Sequence, residues 1–353
     1  MATPIYEFGQ MPRHAATTAP GSTRRPSRET ARKAGEAPCV GVIYNPRSHG
    51  NQGADFDCGV SPHVHIAKPG DRSQLPTALT EFAERGIDLL VINGGDGTVR
   101  DVLTCGAAIF GDNWPAIAVL PKGKTNALTV DLGVPADWTL QDAIDALDSG
   151  SRVRRRPIEI STKADAERGH AGSRVLGFIL GAGAFTKATQ AGQSAHRLGA
   201  FNSLAVGVTT AWTIAQALFA GAENPWRKGS RMRIELGAQR TAMAHSGRGD
   251  TEYRQLLFAS TLERLPAGTR PFGKLKAGLK LVALDQISRR TAALLPLAIM
   301  GREVANLRER GIHQLSAPEF TLEIDDQFIL DGEAFPAGEY RIGQGPELHF
   351  VAP

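Results

Sequence analysis

The chain has 353 residues, 42% of them hydrophobic, and is long enough to form two domains with separate cores. The net charge is +4, and residues 1–38 contain six Lys and Arg against three Glu, so the rest of the chain is almost neutral. Nucleic-acid binding by a broad basic surface is therefore excluded. The three cysteines (Cys39, Cys58 and Cys105) form no Cys-x-x-Cys pair, which argues against a disulfide framework or a structural zinc site and fits a reducing compartment.

Residues 1–38 are rich in Pro, Ser, Thr, Ala and Arg and lack any apolar periodicity, which predicts a disordered basic tail. Such a tail is either fully solvated or in contact with anionic lipid. The N-terminal residues contain no apolar segment typical of a secretory signal, so we expect a cytoplasmic protein.

Residues 40–44 form the first predicted strand and run into a polar loop at residues 45–51. Small polar side chains at the carboxyl end of a first strand are well placed to line a nucleotide crevice. The candidate nucleotide-binding residues in this loop are Asn45, Pro46, Arg47, Ser48 and His49.

The next segments alternate between strand and helix patterns. Val64 and Ile66 alternate with polar residues like a strand, and residues 75–85 have the apolar spacing of a helix that ends at Gly86. A short apolar run at residues 89–92 suits a strand that is buried on both faces. This order predicts a parallel, layered α/β domain.

A glycine-rich turn follows that buried strand and consists of Gly94, Gly95, Asp96, Gly97 and Thr98. The glycines permit a sharp turn and the close approach of a ligand, and the apolar spacing of residues 99–103 predicts a helix with Thr98 as its N-cap. A strand, a glycine turn and a helix N-terminus together form an anion site. A carboxylate inside a phosphate site repels the phosphate unless a cation or a hydroxyl lies between them, so Asp96 is predicted to lie near Mg²⁺ or the attacking hydroxyl.

Residues 117–120 form a further buried strand, which leads to three more candidate residues, Gly123, Lys124 and Asn126. The local Gly-Lys-Thr sequence is not a P-loop, because that motif needs a glycine five residues earlier, where Ala118 stands. The Lys124 ammonium is predicted to balance charge on ATP phosphates, and the alternative is a solvent-facing lysine at a helix start.

From residue 158 onward the pattern changes to short alternating segments, which predicts a β-rich second domain over residues 158–353. Two apolar stretches interrupt it. Residues 198–220 carry many polar side chains, which favours a helix packed on the sheet over a membrane span. Residues 287–307 combine an apolar face with cationic flanks, which predicts an amphipathic helix that lies in a membrane surface.

The segment Asp331-Gly332-Glu333 follows an alternating strand at residues 320–324. Two carboxylates separated by one glycine can share a turn and converge on one point, where one orders Mg²⁺ and the other accepts a hydroxyl proton. An ordinary surface turn is the alternative, since Asp-Gly turns are common.

Four segments resemble, in the same order, the motifs of the diacylglycerol kinase catalytic domain family: N-P-x-S at 45–48, G-G-D-G-T at 94–98, P-x-G-x-x-N at 121–126 and D-G-E at 331–333. NAD kinases and phosphofructokinases share only the second segment, so residues 40–353 are identified as similar to the lipid kinases. The chain departs from the family pattern at His49, Lys124, Ala127 and Ala277. Ala277 stands where an Asp builds a second, structural Mg²⁺ site in many members, and that site is therefore not expected.

The resemblance implies an NAD kinase/diacylglycerol kinase-like two-domain architecture. An α/β nucleotide-binding domain over residues 39–157 precedes a β-rich, β-sandwich-like lipid-substrate domain, with the active site between them. The implied reaction transfers the γ-phosphate of ATP, with Mg²⁺, to a primary hydroxyl of a membrane lipid, diacylglycerol by family default. A ceramide or sphingoid-base kinase, an NAD kinase-like activity and a non-catalytic nucleotide-binding module stay open as alternatives.

The resemblance also implies roles for single residues. Asp96, Asp331 and Glu333 are the catalytic candidates, with Glu333 the first choice for general base, and Asp96 and Asp331 are the metal-ligand candidates. The loop residues named above would hold ATP. The expected partner is a membrane lipid, and the protein is expected to contact the inner face of the membrane peripherally. No nucleic-acid partner is expected, and a homodimer stays open.

Overall fold

The computed structural model describes residues 36–52, 61–167, 174–186 and 229–353. The predicted tail lies outside these ranges except for residues 36–38, and the predicted helix at residues 198–220 lies outside them altogether.

Strands and helices are numbered in chain order within the described residues. The strands are β1 (Val40–Tyr44), β2 (Val64–Ala67), β3 (Leu89–Gly94), β4 (Ala116–Pro121), β5 (Ser151–Arg155), β6 (Ile158–Thr162), β7 (Arg174–Gly177), β8 (Ile179–Gly183), β9 (Ser230–Leu236), β10 (Thr241–Ala242), β11 (Tyr253–Arg254), β12 (Leu256–Ser260), β13 (Lys280–Leu284), β14 (Ile312–Ser316), β15 (Glu319–Ile324), β16 (Phe328–Leu330), β17 (Glu333–Phe335), β18 (Gly338–Gln344) and β19 (Leu348–Ala352). The helices are α1 (Leu75–Arg85), α2 (Asp96–Phe110), α3 (Ala127–Leu132), α4 (Leu140–Ser149), α5 (Lys163–Glu167), α6 (Arg289–Ala292) and α7 (Leu295–Ile299).

The first sheet has the strand order β2-β1-β3-β4-β19-β5. Strand β1 pairs in parallel with both β2 and β3, and β3 pairs in parallel with β4. The strands β3 and β4 are almost wholly apolar because helices cover the sheet on both faces, with α1 and α2 on one side and α4 on the other. The predicted α/β domain is confirmed, but its sheet is mixed, because β5 at one edge pairs antiparallel with its neighbour.

Helix ends in this domain follow local sequence signals. Helix α1 ends at Gly86, which has φ 75° and donates its backbone N–H to the carbonyls of Phe82 and Ala83. Helix α4 begins after Thr139, whose hydroxyl accepts from the backbone N–H of Asp142, while the Asp142 carboxylate accepts from the backbone N–H of Thr139. The sequence therefore determines where the helices that cover the first sheet start and stop.

The last strand, β19, lies inside the first sheet, parallel to β4 and antiparallel to β5. The prediction that residues 158–353 form a single second domain is therefore wrong for Leu348–Ala352. Phe350 is fully buried and belongs to the core that α1 and α2 cover. The alternation of apolar residues in β19 shows that it is a strand but does not show which sheet it joins.

The rest of the second domain is a β-sandwich. One sheet has the order β10-β9-β15-β18-β6-β7, with β11 beside β9, and the other has the order β14-β13-β12-β8-β16-β17. All strand pairs in both sheets are antiparallel. Inward-facing residues of both sheets, among them Ile160, Leu180, Phe320 and Phe328, form one buried core. The predicted β-rich second domain is confirmed as a sandwich.

Helix α2 joins the two domains. The backbone N–H of Leu176 in β7 donates to the Thr104 hydroxyl at 3.0 Å, and Leu103 of α2 shares a core with Leu176 and Phe178. This packing fixes the start of β8 against the helix that begins at the glycine-rich turn.

Residues 287–307 do not form the single amphipathic helix that the sequence predicts. They contain the two short helices α6 and α7, and Pro296 lies in the first turn of α7. A proline has no N–H and cannot continue a preceding helix, which explains the break. Within the described ranges, no helix is both long and apolar enough to cross a bilayer.

The substitution Phe350→Ala is expected to lower the free energy of unfolding by about 3–5 kcal/mol, because it leaves a cavity under a central strand of the first sheet. Denaturant unfolding would measure the change, and His349→Ala, on the exposed side of the same strand, should change it by less than about 0.5 kcal/mol. Equal effects of the two substitutions would contradict the placement of β19 in the sheet.

Candidate active site

Three loops meet at the carboxyl ends of β1, β3 and β4, where parallel strands of one sheet end together. The backbone N–H of Gly95 donates to the Ser48 hydroxyl at 3.3 Å, which joins the first loop to the second. The backbone N–H of Gly50 donates to the Lys122 carbonyl at 2.9 Å, which joins the first loop to the third. The three loops, which are far apart in the sequence, therefore form one surface.

Asparagine side chains hold the first two loops in place. The Asn51 amide nitrogen donates to the Asn45 carbonyl and to the Asn93 side-chain oxygen, each at 2.8 Å. The Asn45 amide nitrogen donates to the Thr98 hydroxyl at 2.8 Å. Helix α2 begins one turn earlier than predicted, after Gly95, so the prediction of Thr98 as N-cap is wrong.

The second and third loops touch at glycine. A Cβ on Gly95 would lie 2.8 Å from the Gly123 Cα, and a Cβ on Gly123 would lie 2.7 Å from the Gly95 Cα. No side chain fits at either position without moving the backbone of the other loop. The Asn126 side-chain oxygen accepts from the Gly123 backbone N–H at 2.7 Å and holds this loop closed. These glycines bring the start of α2 close to the third loop.

The other predicted loop residues are more exposed. Pro46, Arg47 and His49 are exposed, and the Arg47 guanidinium donates to the Gly70 carbonyl across the loop mouth. Lys124 is exposed and forms no hydrogen bond or ion pair with another described residue.

Asp96 is the first residue of α2 and lies at the contact between α2 and α3. Its carboxylate accepts from the backbone N–H of Leu128 at 3.5 Å, at the N-terminus of α3. Burial raises the pKa of Asp96, and the backbone N–H groups of α3 oppose that rise. The side chain is therefore a partly desolvated acid that faces a helix N-terminus.

Asp331 and Gly332 form the turn between β16 and β17. Both have positive φ, 45° and 81°, which matches a type I′ hairpin turn. The Asp331 carboxylate accepts from the backbone N–H groups of Phe178 and Ile179, each at 2.9 Å. A Cβ on Gly177 would lie 2.5 Å from this carboxylate, so the turn also depends on glycine in the neighbouring strand.

The structure brings Asp331 close to Asp96. Burial and, to a smaller extent, the negative charge of Asp96 together raise the pKa of Asp331 to about 7, although Arg100 opposes the rise. Arg100, one turn after Asp96 on α2, donates to the Asp331 backbone carbonyl at 3.3 Å, so the two acidic residues come from different domains and lie near each other. Such a pair fits a divalent cation, because Mg²⁺ in phosphoryl-transfer sites takes one or two carboxylates and completes its shell with water and phosphate oxygens. No cluster of three or more acidic, His or Cys ligands occurs among the described residues.

Glu333 has different partners from Asp331. Its carboxylate accepts from Arg72 at 2.8 Å and from Arg100 at 3.1 Å, and both arginines also pair with Asp101. Arg100 is only 2% exposed and donates further to the carbonyls of Leu330 and Asp331. The expectation that the two carboxylates of the Asp-Gly-Glu segment converge on one point is wrong, because their contacts separate them.

Sequence reasoning missed the residues that support these carboxylates. Arg100 follows Asp96 by four positions, so both lie on one face of α2, but an arginine on a predicted helix is normally read as solvent-exposed. Asn51 is the last residue of the first loop and Asn93 lies near the end of β3, and neither belongs to a recognisable motif. Their roles depend on contacts that are distant in sequence.

A cavity of about 530 Å³ lies on the α4 side of the loops. Tyr44, Asn51 and Gln141 are among the residues that line it, and it borders the loops at Gly50 and Lys122. None of the three acidic candidates lines this cavity, so it is separate from the place where the two domains bring their carboxylates together.

Comparisons with known proteins agree with this arrangement. Residues 39–160 match the family model of the diacylglycerol kinase catalytic domain. A diacylglycerol kinase of Bacillus subtilis is 37% identical over 83 residues, which cover 24% of this chain and 25% of that protein. A probable lipid kinase, YegS-like, of Citrobacter koseri is 27% identical over 129 residues, which cover 35% of this chain and 42% of that protein. The matches therefore span less than half the length of these curated relatives.

Solved structures are similar over most of the chain. A putative diacylglycerol kinase from Bacillus anthracis str. Sterne has a TM-score of 0.61 at 15% sequence identity, and the alignment covers 89% of this chain and 97% of that chain. A second structure, of a diacylglycerol kinase from the same organism, gives the same TM-score at 17% identity, with 89% and 96% coverage. At this identity the similarity establishes the two-domain fold.

The substitution Asp331→Asn is expected to reduce the pH dependence of stability. Because the folded-state pKa is raised from 3.8 to about 7, the folded protein holds a proton that the unfolded chain has released, and the free energy of unfolding falls as the pH rises through this window. Between pH 5 and pH 7 the wild type should lose about 2–3 kcal/mol more than the variant. Denaturant unfolding without divalent cations measures this, with Asp137→Asn as an exposed control, and equal losses would contradict the burial of the Asp331 carboxyl.

The substitution Glu333→Gln is expected to lower the free energy of unfolding by about 3 kcal/mol, because it leaves the buried Arg100 without one of its two carboxylate partners. The control is Glu347→Gln, which breaks only exposed ion pairs and should cost less than about 1 kcal/mol. Unchanged stability together with lost activity would instead assign Glu333 to the chemistry.

Proposed function

We propose that this protein is a lipid kinase that transfers the γ-phosphate of ATP to a primary hydroxyl of a membrane lipid, because residues 39–160 match the family model of the diacylglycerol kinase catalytic domain. The observation that carries the proposal is that Arg100, one turn after Asp96 on α2, donates to the backbone carbonyl of Asp331 in the second domain at 3.3 Å, which supports a site formed by both acidic residues. An anion site formed by glycine loops lies beside a pair of carboxylates, which is the combination that phosphoryl transfer needs.

The loops at the carboxyl ends of the first sheet are the proposed ATP site. The N-terminus of α2, with the backbone N–H of Gly97 in its first turn, would bind phosphate oxygens. Asn45 and Ser48 hold the neighbouring loop, and the exposed Lys124 ammonium is free to reach an outer phosphate. Pro46, Arg47 and His49 lie exposed on the first loop, and Gly123 and Asn126 hold the third loop closed.

Asp96 and Asp331 are the proposed partners of Mg²⁺. The ion would supply charge neutralisation between the carboxylates and the phosphates. The fit rests on the donor set, because two neighbouring carboxylates without a third acidic ligand leave positions for phosphate oxygens.

Glu333 is less suited to accept the hydroxyl proton than the Asp96 and Asp331 pair, because it is held between two arginine side chains. Of Asp96 and Asp331, the carboxylate that does not bind the ion would accept the proton. We therefore assign Glu333 a role in positioning the turn, which revises the expectation from sequence.

The proposed substrate is diacylglycerol, and the proposed place of action is the cytoplasmic face of the membrane. The departures at Lys124, Ala127 and Ala277 distinguish this chain from the family pattern without selecting another acceptor. An assay with radiolabelled ATP against diacylglycerol, monoacylglycerol, ceramide, sphingosine and NAD separates the alternatives. Phosphorylation of NAD alone would refute the lipid-kinase proposal, and measurable ATP affinity without any turnover would indicate a nucleotide-binding module.

The substitution Asp96→Asn is expected to lower turnover by a factor on the order of 10³, because it removes a carboxylate from the place where the phosphoryl group is transferred. The melting temperature should change little, since burial already disfavours the charged form of this group. The matched control is Asp112→Asn, at an exposed position just after α2. An Asp96→Asn variant with wild-type turnover would refute the site.

A further inference from the structure

The C-terminal turn of α7 exposes two large apolar side chains. Leu297 is 48% exposed and Met300 is 58% exposed, and Val130 is the only other large apolar residue of similar exposure among the described residues. Positions 297 and 300 are three residues apart and share one face of the helix. Ala298 is buried and Leu295 packs against the main core, so the opposite face anchors the helix. We name the exposed pair the α7 tip.

The α7 tip is held in a fixed conformation. The backbone N–H of Arg302 donates to the Leu297 carbonyl at 2.9 Å, and Gly301, with φ 74°, donates to the Ala298 carbonyl at 3.0 Å. These bonds form a glycine-capped helix end. The backbone N–H of Arg270 also donates to the Ile299 carbonyl at 2.6 Å. Both apolar side chains are therefore presented to solvent by an ordered turn.

Exposed cationic side chains flank the α7 tip. Arg302 follows it in sequence, Arg289 and Arg290 form the first turn of α6, and Arg270 packs against Gly301. The one acidic side chain directly beside Arg302 is Glu303, and the exposed Lys274 pairs with it. An apolar tip with arginines at its border fits the surface of an anionic membrane, whose acyl region accepts the apolar side chains and whose headgroups attract the arginines.

The α7 tip is connected to the proposed reaction centre by short contacts. The Asp131 carboxylate at the end of α3 accepts from the backbone N–H groups of Glu263 and Arg264, at 2.8 and 2.7 Å. The loop that begins at Glu263 continues to Arg270, whose backbone N–H donates to α7 at Ile299. At the other end of α3, the backbone N–H of Leu128 donates to the Asp96 carboxylate. A chain of backbone contacts therefore runs from the tip to α3, the helix that Asp96 faces.

We propose that the α7 tip docks the protein onto an anionic lipid bilayer, with Leu297 and Met300 inserted and the four flanking arginines at the headgroups. This inference rests on the proposed lipid-kinase function, because a diacylglycerol substrate resides in that bilayer. The two apolar residues provide insertion, and the arginines make binding dependent on salt concentration.

The test is co-sedimentation of the full chain with phosphatidylglycerol/phosphatidylcholine vesicles. Leu297→Gln combined with Met300→Gln should weaken vesicle binding at least tenfold, and Arg289→Ser, Arg290→Ser and Arg302→Ser should each weaken it by about fivefold at low salt. The control is Val130→Gln, an exposed apolar residue on α3 rather than α7, which should bind like the wild type.

Turnover of a short-chain, water-soluble diacylglycerol by the same variants separates docking from chemistry. The tip variant should retain wild-type turnover in solution and lose it only on vesicles. Absence of vesicle binding by the wild type, or equal binding by wild type and tip variant, would overturn the docking proposal, whether or not the soluble substrate is phosphorylated. A wild-type dimer that becomes monomeric in the tip variant, with vesicle binding unchanged, would assign the tip to a contact between two copies of the chain.

Discussion

The arrangement of this protein depends on one buried arginine. Arg100 extends from α2 in the first domain to the turn between β16 and β17 in the second, where it donates to two backbone carbonyls and to Glu333. A guanidinium with five donors can hold a turn and a carboxylate together, whereas a lysine would make fewer directed bonds. Because Arg100 is almost fully buried, its charge must be compensated, and Asp101 and Glu333 provide that compensation. The turn that carries Asp331 is therefore fixed relative to the helix that carries Asp96.

The electrostatic character of the candidate site follows from this constraint. Asp96 and Asp331 are both half-buried, and partial desolvation makes each carboxyl less readily ionised than in water. Glu333 follows Asp331 by two residues in the same hairpin, but its carboxylate pairs with Arg72 and Arg100. One short acidic motif thus supplies one residue of the proposed reaction site and one of the domain contact, and the difference is set by the partners that surround each side chain.

Much of the architecture could be predicted from the sequence. The parallel first domain, the helix that ends at Gly86, the strand before the glycine turn and the β-rich second domain all follow from local periodicity and turn residues. Two predictions failed because they required distant contacts: the strand β19 joins the first sheet, and the carboxylates of Asp331 and Glu333 face different groups. Two others failed for local reasons, because Pro296 breaks the segment at residues 287–307 into two helices and α2 begins after Gly95 instead of Thr98.

The sequence by itself determined which chemical groups are present: the glycines that let two loops touch, the carboxylates at positions 96, 331 and 333, and the polar loop after the first strand. These properties are local, because backbone freedom and side-chain chemistry belong to each residue. Only the tertiary structure decided which of these groups meet and which are neutralised. Burial and pairing depend on residues that are up to 261 positions apart, such as Arg72 and Glu333, and no local pattern encodes a contact of that kind.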